Sequence, residues 1–142
     1  MNQLTAFRGV IRLFLLALAG FALVVAGCSS DDESSGAGSD VPSPGVPAAE
    51  QALAQDRTVI DVRTPQEYAV AHVTDADLID VQDPTFAERI AELDPSGEYV
   101  VYCRSGNRSA VAAQSMSEAG LDVWDGGGLT DMEAAGWPST SG

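Results

Sequence analysis

The chain has 142 residues and a formal net charge of −14, and all seven of its basic side chains are arginine. A hydrophobic share of 45% with 20% charged residues is enough for one globular core. So large an excess of acid excludes nucleic acid and anionic headgroups as partners of the surface, and it leaves any anionic substrate dependent on local positive charge.

The first 28 residues, "MNQLTAFRGVIRLFLLALAGFALVVAGC", place Arg8 and Arg12 ahead of an apolar run from Leu13 to Ala26, with small residues before Cys28. A basic start, an apolar middle and a small-residue exit predict an export leader, and the run is short of the ~20 residues of a spanning helix. The tetrad Val25-Ala26-Gly27-Cys28 resembles a bacterial lipobox, which implies cleavage before Cys28 and fatty acylation of the new N-terminus. Residues 1–27 are therefore expected to be a lipoprotein signal peptide. Residues 28–47 are expected to be the lipidated cysteine and a flexible linker, because "SSDDESSGAGSDVPSPGVP" offers almost nothing apolar to bury. Residues 48–142 are left as the single folded domain, held outside the cytoplasm on a bacterial membrane by the lipid on Cys28.

Strand and helix signals alternate through that domain. "AAEQALAQ" (48–55) reads as a helix and "TVIDV" (58–62) as a buried strand. "TPQEYAVA" follows with Thr64 as N-cap, Pro65 in the first turn and Glu67 closing a capping box. "ADLIDV" (76–81) is a second strand, and "DPTFAERIAEL" a helix capped by Asp83 with Phe86, Ile90 and Leu93 on one face. "YVVYC" (99–103) is a third strand, "SAVAAQSMSEAG" a helix closed by Gly120, and "DVW" (122–124) a last short strand. "TDMEAAG" (130–136) repeats the capping pattern with Thr130 and Glu133. Strands separated by helices predict an α/β domain with a mainly parallel sheet and helices on both faces.

In that architecture Cys103 ends a strand and precedes a helix, so it lies at the carboxyl edge of the sheet, where open α/β folds bind ligands. The loop Arg104-Ser105-Gly106-Asn107-Arg108 leads into a helix N-terminus, whose unpaired N–H groups and dipole favour an anion and a thiolate. A lone cysteine after an apolar strand is often an inert core residue. Here two scarce arginines and a glycine follow it, and with Cys28 taken by lipid it has no disulfide partner. Cys103 is thus the expected nucleophile, with Arg104, Ser105, Gly106, Asn107 and Arg108 as the anion-binding loop.

Three stretches carry a family resemblance: "VIDVRTPQEYAVAHV", "YVVYCRSGNRSAVAAQSMSEAG" and "VWDGGGLTDMEAAGWP". Together they resemble a single rhodanese domain over nearly all of residues 48–142. The resemblance implies a five-stranded parallel sheet and a sulfurtransferase whose Cys103 carries a persulfide. The sulfur would come from a small anion such as thiosulfate and pass to cyanide or a thiol, with no metal or organic cofactor. Arg108 and the loop N–H groups would hold the persulfide, and Arg104 would recruit the donor. Related phosphatases and arsenate reductases of this fold use a loop one residue longer than the Cys-x4-Arg spacing here, so phosphate transfer is not expected. Asp61 and Arg63 match family positions and are expected to brace the loop and the strand ends. His72 is expected to be structural, Asp75 and Asp77 to be surface charges, and Trp124 and Trp137 to be packing residues. Gly126 to Gly128 fit either a pocket wall or a tight turn. The rival to an enzyme is a membrane-tethered persulfide carrier, since the same loop would serve both. Ala71-His72-Val73-Thr74-Asp75 departs from the Gly-His and Pro-Gly order usual in the family, a change confined to a turn.

Overall fold

In chain order the elements are α1 (Val46–Ala54), β1 (Thr58–Asp61), α2 (Pro65–Val70), β2 (His72–Val73), β3 (Asp77–Leu78), α3 (Phe86–Ala91), β4 (Glu98–Cys103), α4 (Asn107–Glu118), β5 (Asp122–Gly128), α5 (Leu129–Ala134) and β6 (Ser139–Thr140). They come from a computed structural model that describes residues 41–141; the expected signal peptide, Cys28 and the first part of the linker lie outside the described residues.

A four-stranded parallel sheet runs in the order β3-β1-β4-β5. These are the four strands that the apolar runs predict. The fifth strand implied by the family resemblance does not join them: β2 pairs antiparallel with β6 in a separate two-stranded ribbon. Only two residues of each chain segment pair there, too few for a period-two pattern to show in the sequence.

Strand alternation sorts the core into two layers. Ile60, Val62, Tyr99, Val101 and Cys103 face α3 and α4, packing with Phe86, Ile90, Ala112 and Met116. Val59, Val100, Tyr102 and Trp124 face α1 and α5, packing with Ala48, Ala49, Ala52 and Met132. The buried positions of α1 are all alanine, so its backbone lies close on the sheet. The pleat therefore sends the Cys103 side chain towards α4 and its neighbour Tyr102 to the opposite side.

Helix ends follow their chemistry, with exceptions that matter at the site. The capping box of α2 is present, and the Thr64 hydroxyl accepts the Glu67 N–H. At the end of α4, Gly120 adopts φ +87, its N–H donates to the Ser117 carbonyl, and the Leu121 N–H donates to the Met116 carbonyl, a Schellman closure. α1 begins at Val46, two residues ahead of the expected start. α3 begins only at Phe86, because the Asp83 carboxylate turns to the N–H and hydroxyl of Thr85 and holds a tight turn there. α5 is not capped by Thr130: it starts at Leu129, and the Asp131 carboxylate accepts the Gly128 N–H at 2.7 Å.

Candidate active site

Cys103 is the last residue of β4 and is 1% exposed. The chain then turns through Arg104 and Ser105, both exposed, to Gly106, which caps α4 from the left-handed region at φ +89. That conformation is open to glycine at little cost, and the Gly106 N–H donates to the Cys103 Sγ at 3.1 Å. Burial pushes the thiol pKa up. The N–H groups of Ser105, Ser109 and Arg108 and the Ser109 hydroxyl act against it, and the net shift is down from 9.0. A 12-residue helix directed at the sulfur adds its positive end to the same effect.

The wall opposite the loop is the glycine run at the end of β5. One extra residue in β5 between Asp125 and Gly128 makes a bulge, so that Val101 faces Asp125 while Cys103 faces Gly128. A Cβ on Gly128 would lie 2.8 Å from the Arg104 carbonyl oxygen and 3.3 Å from the Ser105 Cα. Both sequence readings of this run hold at different glycines: Gly128 admits the cysteine loop, and Gly127 takes a turn at φ +79 with its N–H on the Asp125 carboxylate. Ser109, fully buried, ties the two walls together: its hydroxyl lies 2.9 Å from the Gly106 carbonyl and 3.1 Å from the Gly127 carbonyl.

Arg108, expected to help hold a persulfide, forms an ion pair with Glu67. Its two terminal nitrogens donate to the two Glu67 carboxylate oxygens, each at 2.7 Å. The guanidinium holds the Glu67 carboxyl well below the usual range, at about 2. Glu67 thus caps α2 and fastens that helix to the cysteine loop, a second duty that the capping box conceals in the sequence. The surroundings of Sγ are the loop N–H groups and the Ser109 hydroxyl, and the charge of Arg108 is felt at Cys103 from its place on Glu67. Asn107 is exposed at the first turn of α4.

Asp61 and Arg63 brace the sheet from the opposite side of β4. Asp61 is fully buried and accepts from the Arg63 N–H, Nε and Nη2 and from the Tyr102 hydroxyl at 2.5 Å. Arg63 Nη2 also donates to the Ala71 carbonyl at 2.6 Å, and the Val73 N–H donates to the Tyr102 oxygen. Burial and the bond to Asp61 raise the Tyr102 pKa, so the phenol stays neutral. Every member of this charged cluster is paired, which such burial requires.

Next to the loop opens a cavity of about 400 Å3 bounded by Arg63, Glu67, Val70, Ala71, Arg104 and Leu129. Sequence reading missed it because its walls come from three separate segments. His72 faces other business: its Nδ1 donates to the Tyr68 carbonyl at 2.8 Å and its ring stacks on Tyr68 at 3.7 Å. Trp124 stacks under the Arg57 guanidinium at 3.4 Å, and Trp137 Nε1 donates to the Ala49 carbonyl. Asp75 and Asp77 are exposed.

A model of the rhodanese-like domain family matches residues 46–132. The thiosulfate sulfurtransferase PspE of Escherichia coli is 38% identical over 76 residues, 51% of this chain and 71% of that protein. The probable adenylyltransferase/sulfurtransferase MoeZ of Mycobacterium tuberculosis is 36% identical over 63 residues, 44% of this chain but 16% of that much longer protein. Among solved structures, a rhodanese-related protein from Thermoplasma volcanium is 28% identical and superposes with a TM-score of 0.59 over 70% of this chain and 97% of that one.

Proposed function

From the premise that the chain belongs to the family of rhodanese-like domains, we propose that it is a sulfurtransferase that moves a sulfane sulfur through a Cys103 persulfide. The observation that carries this reading is the Gly106 N–H donating to a buried Sγ at the head of α4. N–H groups already directed at this sulfur favour negative charge there, which suits a persulfide anion.

Thiosulfate is the donor we propose. The Cys103 thiolate attacks its outer sulfur, the bond from that sulfur to the sulfonate breaks, and sulfite leaves with the bonding pair. Cyanide or a thiolate then attacks the outer sulfur of the persulfide and Cys103 departs as thiolate, so each half-reaction balances without oxidant or reductant. Arg104, exposed at the mouth, supplies the local positive charge that a dianion needs near so acidic a chain.

Intact-mass spectrometry tests the cycle. Thiosulfate should add one sulfur atom, cyanide should remove it, and Cys103→Ser should never gain it. Absence of any gain while Cys103 remains alkylatable would sink the proposal; a gain that cyanide cannot discharge would favour the persulfide carrier. Export and lipidation at Cys28 remain part of the proposal on the sequence pattern alone. The same mass measurement on chain recovered from membranes should read an acylated N-terminus at Cys28.

A further inference from the structure

The ion pair beside the cysteine loop is closed on itself. Arg108 gives its two terminal nitrogens to the two oxygens of Glu67, each at 2.7 Å, and the two side chains stay 24% and 28% exposed. That end of a guanidinium is a fork that matches two oxygens of a carboxylate, phosphate or sulfate, and here a residue of the chain itself occupies it. Solvent reaches both partners, so a dissolved oxyanion competes with Glu67 for the fork.

Glu67 is held in this place from its other side. Its Oε2 accepts the Thr64 N–H at 3.3 Å and the Thr64 hydroxyl at 3.2 Å, the contacts that cap α2. Its carboxyl titrates at about 2 and so stays charged at neutral pH. Asp80, half-buried, adds a second negative charge that is felt at Arg108. The cavity beside the loop is bordered by Glu67 and Arg104 and not by Arg108. An oxyanion arriving there meets the charge of a carboxylate in place of a free inner guanidinium. A sulfur on Cys103 needs no such fork, because the loop N–H groups and the Ser109 hydroxyl already surround Sγ.

We propose that Glu67 is a specificity-determining residue: by occupying Arg108 it denies the guanidinium fork to tetrahedral oxyanions and leaves the loop selective for sulfur bound to Cys103. Sulfate and phosphate are thereby kept from settling over the thiolate. Thiosulfate enters by its outer sulfur, with its sulfonate outside at Arg104, and has no need of Arg108. Glu67 acts through Arg108 and touches no reacting atom. The inference deepens the sulfurtransferase reading and rests on it, since the selectivity is that of the same site.

The test uses the full chain in detergent and measures how far sodium sulfate protects Cys103 from iodoacetamide, read by mass at the Cys103 peptide, with ionic strength held constant by sodium chloride. Wild type should be protected only weakly. Glu67→Gln keeps an acceptor for the α2 cap and frees Arg108, so half-protection should come at about tenfold less sulfate. Glu67→Gln combined with Arg108→Gln should return to the wild-type value. An equal gain in the double variant would trace the effect to the lost negative charge alone and overturn the assignment to the fork. No gain in a Glu67→Gln protein that still melts cooperatively overturns the proposal. If that variant does not melt cooperatively, Glu67→Asp replaces it, since it keeps the charge and cap but draws the carboxylate back by one methylene; a several-fold gain is expected, and no gain overturns the proposal. Thiosulfate loading is followed in parallel by the added sulfur mass. Loading without any sulfate gain sinks the role of Glu67 and leaves the sulfurtransferase reading standing. A wild type that never loads removes that reading, and the selectivity for sulfur with it.

Discussion

At the scale of single residues, the chemistry of Cys103 is set by the donors gathered around one glycine turn. Burial alone would keep the sulfur protonated, and the N–H groups of Ser105, Arg108 and Ser109 with the Ser109 hydroxyl outweigh it, around a turn that Gly106 makes at φ +89. A Cβ on Gly106 would meet nothing closer than the Gly127 Cα at 3.9 Å, so space is not the constraint there. Gly106→Ala therefore isolates conformation: a left-handed alanine costs about 1–2 kcal/mol, and relief of that strain turns the N–H away. Because the native pKa is lowered, the reactive thiolate forms at a lower pH than for an ordinary thiol. The pH profile of iodoacetamide alkylation at Cys103 should accordingly have its midpoint below 9.0, and Gly106→Ala should move it upward. An unchanged midpoint in the variant would mean that α4 as a whole, rather than this turn, activates the sulfur.

At the scale of elements, the cysteine loop and the glycine end of β5 form one unit. Gly128→Ala would put a Cβ 2.8 Å from the Arg104 carbonyl, a backbone atom that cannot rotate away as a side chain can. The expected outcome is a destabilisation of about 1–3 kcal/mol with persulfide loading slowed at least tenfold, read by denaturant melts and by the mass gain from thiosulfate. Loss of stability with normal loading would separate the wall from the site. The sequence declares some of these elements and conceals others for physical reasons. Thr64, Pro65 and Glu67 announce α2, and Gly120 closes α4, since caps are local chemistry. β5 reads as ending at Trp124, because glycines are poor strand formers and a bulge breaks the alternation, yet it continues to Gly128. The start of α5 is similarly misread at Thr130, because the residue that it caps through is Asp131.

At the scale of the molecule, the proposed donor is a dianion that a strongly acidic chain repels. At about 0.01 M salt the screening length is ~30 Å, comparable with the whole domain, and repulsion from all sides is felt; at about 0.1 M it is ~10 Å and Arg104 dominates. The rate of loading by thiosulfate should therefore rise a few-fold between those salt concentrations in stopped-flow measurements, opposite to an enzyme with a basic surface. A falling rate would show that the local arginines already govern approach at low salt. The α/β architecture and the contiguous loop from Cys103 to Arg108 are legible in the sequence because each is written in neighbouring residues. The Glu67–Arg108 pair, the Tyr102–Asp61 bond and the cavity join residues far apart in the chain, and no spacing rule reaches them. One such long-range contact concerns mechanics. The Gly45 N–H donates to the Asp125 carbonyl at 2.9 Å, and a Cβ on Gly127 would lie 2.9 Å from the Gly45 Cα. The polypeptide thus enters the fold against the strand that walls the cysteine loop. Any pull on the upstream chain would be borne first by that strand, making tension a force that acts on the enclosure of Cys103.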